Sequence, residues 1–205
     1  MAGRGVDRLV VRLLEGLGRR LWGFPPRLMA PLVDQMGAAE ALGWFVRNMP
    51  RYERTRRLLG PLRTHVACTA VSLHNGCRYC AFGHAYAVEL IYLKERGRLF
   101  PADAETMSGW LGLEPAELRQ RIVEVLERAD LHGEVLWVDR TLALASGTQR
   151  PVDQDEARIA HLVRMFAVLN AVGEAGGVEP DEAHDPLNKD AALKVRNAQL
   201  RRSAA

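Results

Sequence analysis

Cysteine is scarce in this chain: three residues in 205, at Cys68, Cys77 and Cys80. An odd, low count does not make a secreted disulfide framework. Aromatic residues make up only 6%, and lysine occurs three times against 25 arginines. No stretch approaches the roughly 18 consecutive apolar residues of a membrane span, so no membrane partner is expected. The first 24 residues interrupt their apolar positions with Arg4, Arg8, Arg12, Arg19 and Arg20. A secretory signal needs an unbroken apolar stretch after its charges, so a cytoplasmic protein is expected. No basic run with interleaved aromatics occurs, nor zinc-finger spacing or an RNP-type motif, and no nucleic-acid partner is expected.

What is present is the balance of a soluble globule, with 48% apolar and 26% charged residues. The net charge of +3 is unevenly spread. Residues 1–63 carry 12 arginines against five acidic residues, a net of +7; the remainder nets −4. Arg51, Arg54, Arg56 and Arg57 read as a solvated face.

Helical spacing dominates. Val6, Leu9, Val10, Leu13, Leu14, Leu17 and Leu21 recur at threes and fours, which predicts an amphipathic helix over 5–22. Further helices are expected over about 28–46, 77–95, 115–129, 134–146 and from Asp153 or Asp155 to Gly176, with an apolar segment over 62–74. Pro50, Gly60-Pro61 and Asn75-Gly76 read as punctuation. No segment sustains strand alternation, so the fold class expected is all-α. Three parts are expected: an amphipathic arm over 1–24 that packs or mediates assembly, a helical domain over 25–180, and a polar tail over 181–205 with a short helix near 189–201.

Chemistry concentrates in Asn75-Gly76-Cys77-Arg78-Tyr79-Cys80-Ala81-Phe82-Gly83-His84. A thiol in the first turn of a helix faces unpaired amides and the positive end of the helix dipole, which favour thiolate. Cys77 and Cys80, three apart, share one helical face. Their Cα atoms then fall within the usual disulfide range of about 4.4–6.8 Å. His84, one turn after Cys80, is placed to take a thiol proton. Helix position favours Cys77 as thiolate and the base favours Cys80, so the order of attack stays open. Cys77, Cys80 and His84, with His65 or His74, also offer zinc-type ligands, but no second C-x-x-C or paired histidine accompanies them. Cys68 reads as a buried core thiol, His74 as a turn residue, and Tyr79 and Phe82 as packing residues. Trp44 and Phe45 read as core that could also line a pocket.

The run Asn-Gly-Cys-x-Tyr-Cys-x-x-x-His after an apolar helix resembles the alkylhydroperoxidase D (AhpD)-like, carboxymuconolactone decarboxylase superfamily. The resemblance is strongest over 60–93 and weaker over 28–185. It implies an AhpD-like all-helical bundle, commonly a homo-oligomer, needing no metal or organic cofactor. It implies a peroxidase in which Cys80 attacks a hydroperoxide, Cys77 resolves the sulfenic acid, His84 relays the proton and a separate thiol reductant reopens the disulfide. The family usually carries glutamate twelve residues before the first cysteine; here that position is His65. A neutral His65 can relay a proton, so it joins the candidate site. The same departure leaves room for a non-catalytic or zinc-binding member. A carboxymuconolactone-type decarboxylase is a further alternative, with little need of the cysteine pair.

Overall fold

The computed structural model describes residues 2–204, with side chains from residue 5 onward. The described residues are all-helical, with no strand among them. Helix α1 (Ala2–Trp22) buries Val10, Leu14 and Trp22 against α2 (Met29–Met36) and α3 (Ala38–Leu59). The stripe predicted over 5–22 thus closes part of the main core and is more than an appended arm. Val6, Leu9 and Leu13 remain on its outer side.

The single helix expected over 28–46 is two. Gly37 adopts φ +80°, a conformation that favours glycine, and the chain turns there. Pro50, expected to punctuate, lies inside α3. Its side chain is exposed, and Val46, whose carbonyl loses its helical donor, is exposed as well. Water can hydrate that carbonyl, so the helix continues.

Helices α4 (Pro61–His74) and α5 (Arg78–Arg96) form the central hairpin. Every residue from Thr64 to Leu73 is buried, because other helices cover this helix on all sides; Thr64 and Thr69 return their hydroxyls to backbone carbonyls one turn earlier. One side of this pair meets the core of α1–α3 and α9 (Gln154–Ala175). The other meets α6 (Ala104–Ser108), α7 (Pro115–Arg128) and α8 (His132–Ala145). No helix among the described residues is long and apolar enough to cross a membrane.

The segment expected as a polar tail is built into the fold. A short 3-10 helix (Pro186–Lys189) precedes α10 (Ala191–Ala204). Ala183 and Leu193 pack on Ala87, Leu90 and Leu93 of α5. Arg201 donates to the buried Glu89 carboxylate at 2.7 Å and 3.0 Å and to the carbonyls of Phe100 and Ala102. Polar composition hid this docking, because its energy comes from paired polar groups across the chain.

Candidate functional site

The cysteines sit where two helices meet. Gly76, at φ +81°, ends α4 in the Schellman manner: Cys77 N donates to Ser72 O at 2.9 Å and Gly76 N to Leu73 O at 3.2 Å. The same Cys77 is the N-cap of α5, with extended backbone. It was expected within the helix; it stands one position before it. An N-cap side chain faces the amides of the second and third helical residues, here Tyr79 and Cys80. These amides closely approach the Cys77 sulfur without closing a full capping hydrogen bond.

The two thiols separate in acidity. The Cys80 thiol donates toward Cys77, and this, with the amides, holds Cys77 below the usual thiol range against the opposing effect of burial. Cys80 is pushed up, first as that donor and then by burial. Of the two, Cys77 is therefore the more acidic thiol. Cys68, fully buried on α4, is also pushed up by burial and remains a thiol. Cys77 lies under α9: a methyl group at Gly173 would fall 2.7 Å from its sulfur.

Cys80, by contrast, lines a buried cavity of about 40 Å³. A water needs at least about 10–15 Å³ by this measure, so the space takes about three water-sized groups. Its polar lining comes from Cys80, His84, Tyr52, Tyr79 and His184. Trp22, Met29, Trp44, Phe45, Met49, Met165, Phe166 and Leu169 supply apolar walls. Trp44 and Phe45 thus serve both core and cavity, and Trp22 brings the N-terminal helix to the site. Tyr79 is also more than packing: its hydroxyl donates to Asp181 Oδ2 at 3.0 Å. The Tyr52 hydroxyl is buried and has no hydrogen-bond partner. Burial and nearby carboxylates push its acidity well beyond the usual phenol range, so it stays a donor.

The structure brings all four expected site residues together. His65 Nδ1 lies 2.8 Å from His84 Nδ1, and both rings are buried. Behind them stands a group the sequence reading missed. His65 Nε2 lies 3.0 Å from Asp185 Oδ2, and Arg56 Nη1 lies 3.5 Å from the same oxygen. Arg56 is therefore not part of a solvated face. Leu187 N donates to Asp185 Oδ1 at 2.9 Å. Burial opposes the Asp185 charge, but the His65 contact, the Leu187 amide and Arg56 together outweigh it and hold the carboxyl below its usual range. His184 was missed as well. Its ring lies 5.1 Å edge-on from His84 and stacks on Phe24 at 5.9 Å. The signal available was a His-Asp pair in a segment whose composition argued for solvent. Among the described residues, no three His, Cys, Asp or Glu side chains converge to hold a metal ion.

Gly83 makes room for this arrangement. His184 N donates to Gly83 O at 3.0 Å, and a methyl group at Gly83 would fall inside 3.0 Å of the His184 ring. Gly83→Ala is expected to cost roughly 1–3 kcal/mol by overpacking. The control Gly43→Ala, in open space on α3, is expected to gain roughly 0.5–1 kcal/mol from helix propensity. Thermal melts of the two variants should move in opposite directions; equal shifts would contradict the packing.

Burial, then the neighbouring His65 and His184, hold His84 well below the ordinary histidine value of 6.5. The unfolded chain therefore takes up this proton first. The stability His84 contributes is present above pH 6.5 and is lost as pH falls below it. Asp181 and Asp185, both held below 3.8, add stability that is lost only as pH falls below that value. Unfolding free energies from urea titrations are expected to begin falling near pH 6.5, with a slope of up to about 1.4 kcal/mol per pH unit for one proton. A profile flat from pH 7 to 5 would contradict a neutral buried His84.

Compared with known proteins, the chain matches no family model, no curated protein and no solved structure.

Proposed function

We propose that the chain is a thiol-dependent oxidoreductase that reduces hydroperoxides through a Cys77–Cys80 disulfide, within a bundle that resembles the AhpD-like fold. One observation carries this reading: Cys80, His84 and Tyr52, with its unpartnered hydroxyl, line one largely apolar cavity. Cys80, lining that space, is the attacking group; Cys77, covered by α9, is the resolving one.

The cycle follows from these positions. His84 takes the Cys80 proton. The thiolate attacks the terminal oxygen of the hydroperoxide, a sulfur–oxygen bond forms, and the O–O bond breaks. The leaving alkoxide takes the proton that His84 received, with the Tyr52 hydroxyl as hydrogen-bond donor in the cavity, and His84 returns to its neutral form. Cys77, favoured as thiolate, attacks the sulfenic sulfur of Cys80; the disulfide forms and water leaves. A separate dithiol reductant then reopens the disulfide by exchange. The apolar walls exclude bulk water, which preserves the sulfenic acid for the resolving thiol. The outward Val6, Leu9 and Leu13 of α1 support self-association as part of the same proposal.

Hydroperoxide consumption in the presence of a dithiol reductant tests this reading. Saturable consumption that tracks the concentration of the chain is expected. A rate no greater than that of the dithiol alone would overturn it.

A further inference from the structure

We propose that Asp185 is a positioning residue that sets the tautomers of His65 and His84 and so leaves His84 Nε2 as the basic nitrogen of a ring that lines the same cavity as Cys80. The inference rests on the thiol-oxidoreductase reading for its purpose, but its geometry stands alone. The Asp185 carboxylate can only accept. Its Oδ1 accepts from Leu187 N at 2.9 Å, and its Oδ2 lies 3.0 Å from His65 Nε2. His65 must therefore carry its hydrogen on Nε2. A neutral imidazole then has a bare Nδ1. That atom lies 2.8 Å from His84 Nδ1, so His84 must donate there. His84 Nε2 is left without a hydrogen, as an acceptor.

The carboxylate that position 65 lacks is thus supplied from 120 residues downstream. When Cys80 gives its proton to His84 Nε2, the Nδ1 hydrogen can pass to His65 Nδ1. His65 becomes an imidazolium beside Asp185, and the thiolate is left on Cys80. No proton enters or leaves the site in this shift. Few other charged or titratable groups face the pair: Tyr52 and Arg56 from α3, Cys68 from α4, and His184 beside Asp185. From α9, Phe166 presents only an edge to His84.

Asp185→Asn is the informative variant. The Leu187 amide still requires an acceptor, so the carboxamide oxygen of the variant stays with it and the carboxamide nitrogen turns to His65 Nε2. His65 then carries its hydrogen on Nδ1, and His84 is driven to the Nε2–H form, a donor where a base is needed. A comparable wrong-tautomer change in serine proteases costs about 10⁴-fold. Here Cys80 oxidation by an organic hydroperoxide is expected to slow by at least about 100-fold near neutrality, with Asp185→Glu restoring much of the rate.

The test is ¹⁵N spectroscopy of the imidazoles in the reduced full-length chain, paired with the rate of Cys80 oxidation. The expected wild-type result is Nε2–H on His65 and Nδ1–H on His84, both inverted in Asp185→Asn. An Nε2–H His84 in the wild type would overturn the inference with no variant needed. So would an Asp185→Asn chain with inverted tautomers and an unchanged oxidation rate and pH profile. Tautomers as expected, with a wild-type Cys80 that no hydroperoxide oxidises, would support the positioning role and contradict the peroxidase reading instead.

Discussion

Deleting residues 181–205 is expected to abolish cooperative folding, although their composition is that of a solvated tail. The deletion strips Leu193 and Ala183 from Leu90 and Leu93, and leaves Glu89 buried without Arg201. Removing one partner of a buried ion pair costs about 3–5 kcal/mol, because the other charge stays uncompensated. Each large apolar side chain lost from a packed site adds about 1.5–3 kcal/mol. Together these come to about 4.5–8 kcal/mol, which is comparable to the whole stability of a small protein, about 5–15 kcal/mol. Glu89 already sits above its usual range because burial outweighs Arg201, so it has little margin. Arg201→Met, which keeps α10 and most of its packing, should lose about 3 kcal/mol or more. Urea unfolding monitored by circular dichroism checks both. A truncated chain that melts within a few degrees of the full chain would show that the segment merely rests on the surface.

The second large effect separates the two cysteines. Cys80→Ser is expected to eliminate hydroperoxide turnover, since a serine hydroxyl is neither thiolate nor oxidisable in its place. Cys77→Ser is expected to permit one attack and then stall, with sulfenic acid held on Cys80. A dimedone-type probe should label Cys80 in that variant and nothing in Cys80→Ser. The asymmetry follows from position: Cys80 faces the cavity, whereas Cys77 lies beneath Gly173. Acidity at rest favours Cys77 as thiolate, which suits a resolving group that must attack promptly. If the dimedone adduct appeared on Cys77 in the Cys80→Ser chain, the roles would be reversed.

Much of the hairpin was legible. The mainly apolar segment over 62–74, the Asn75-Gly76 turn and the spacing of Cys77, Cys80 and His84 placed α4, α5 and the dithiol. Local chemistry sets all three, so a local reading finds them. The reading failed where distant groups decide. Pro50 passes inside α3 because its ring and the carbonyl it orphans both meet water, which spacing does not show. Arg56 looked like one of four solvated arginines, yet it reaches Asp185. Asp185 and His184 lie in a segment whose polarity predicts exposure, and both are buried. Their partners, His65 and Gly83, are a hundred or more residues earlier. No helical period links residues so far apart.

The most direct test of the account is peptide mass mapping of the reduced chain after limiting organic hydroperoxide. Tryptic cleavage after Arg78 places Cys80 on one peptide and Cys68 with Cys77 on the preceding one. Fragmentation of the linked pair then tells Cys77 from Cys68. A rapid Cys77–Cys80 crosslink is expected, with Cys68 left as a free thiol. Three unmodified thiols, or a crosslink through Cys68, would contradict it.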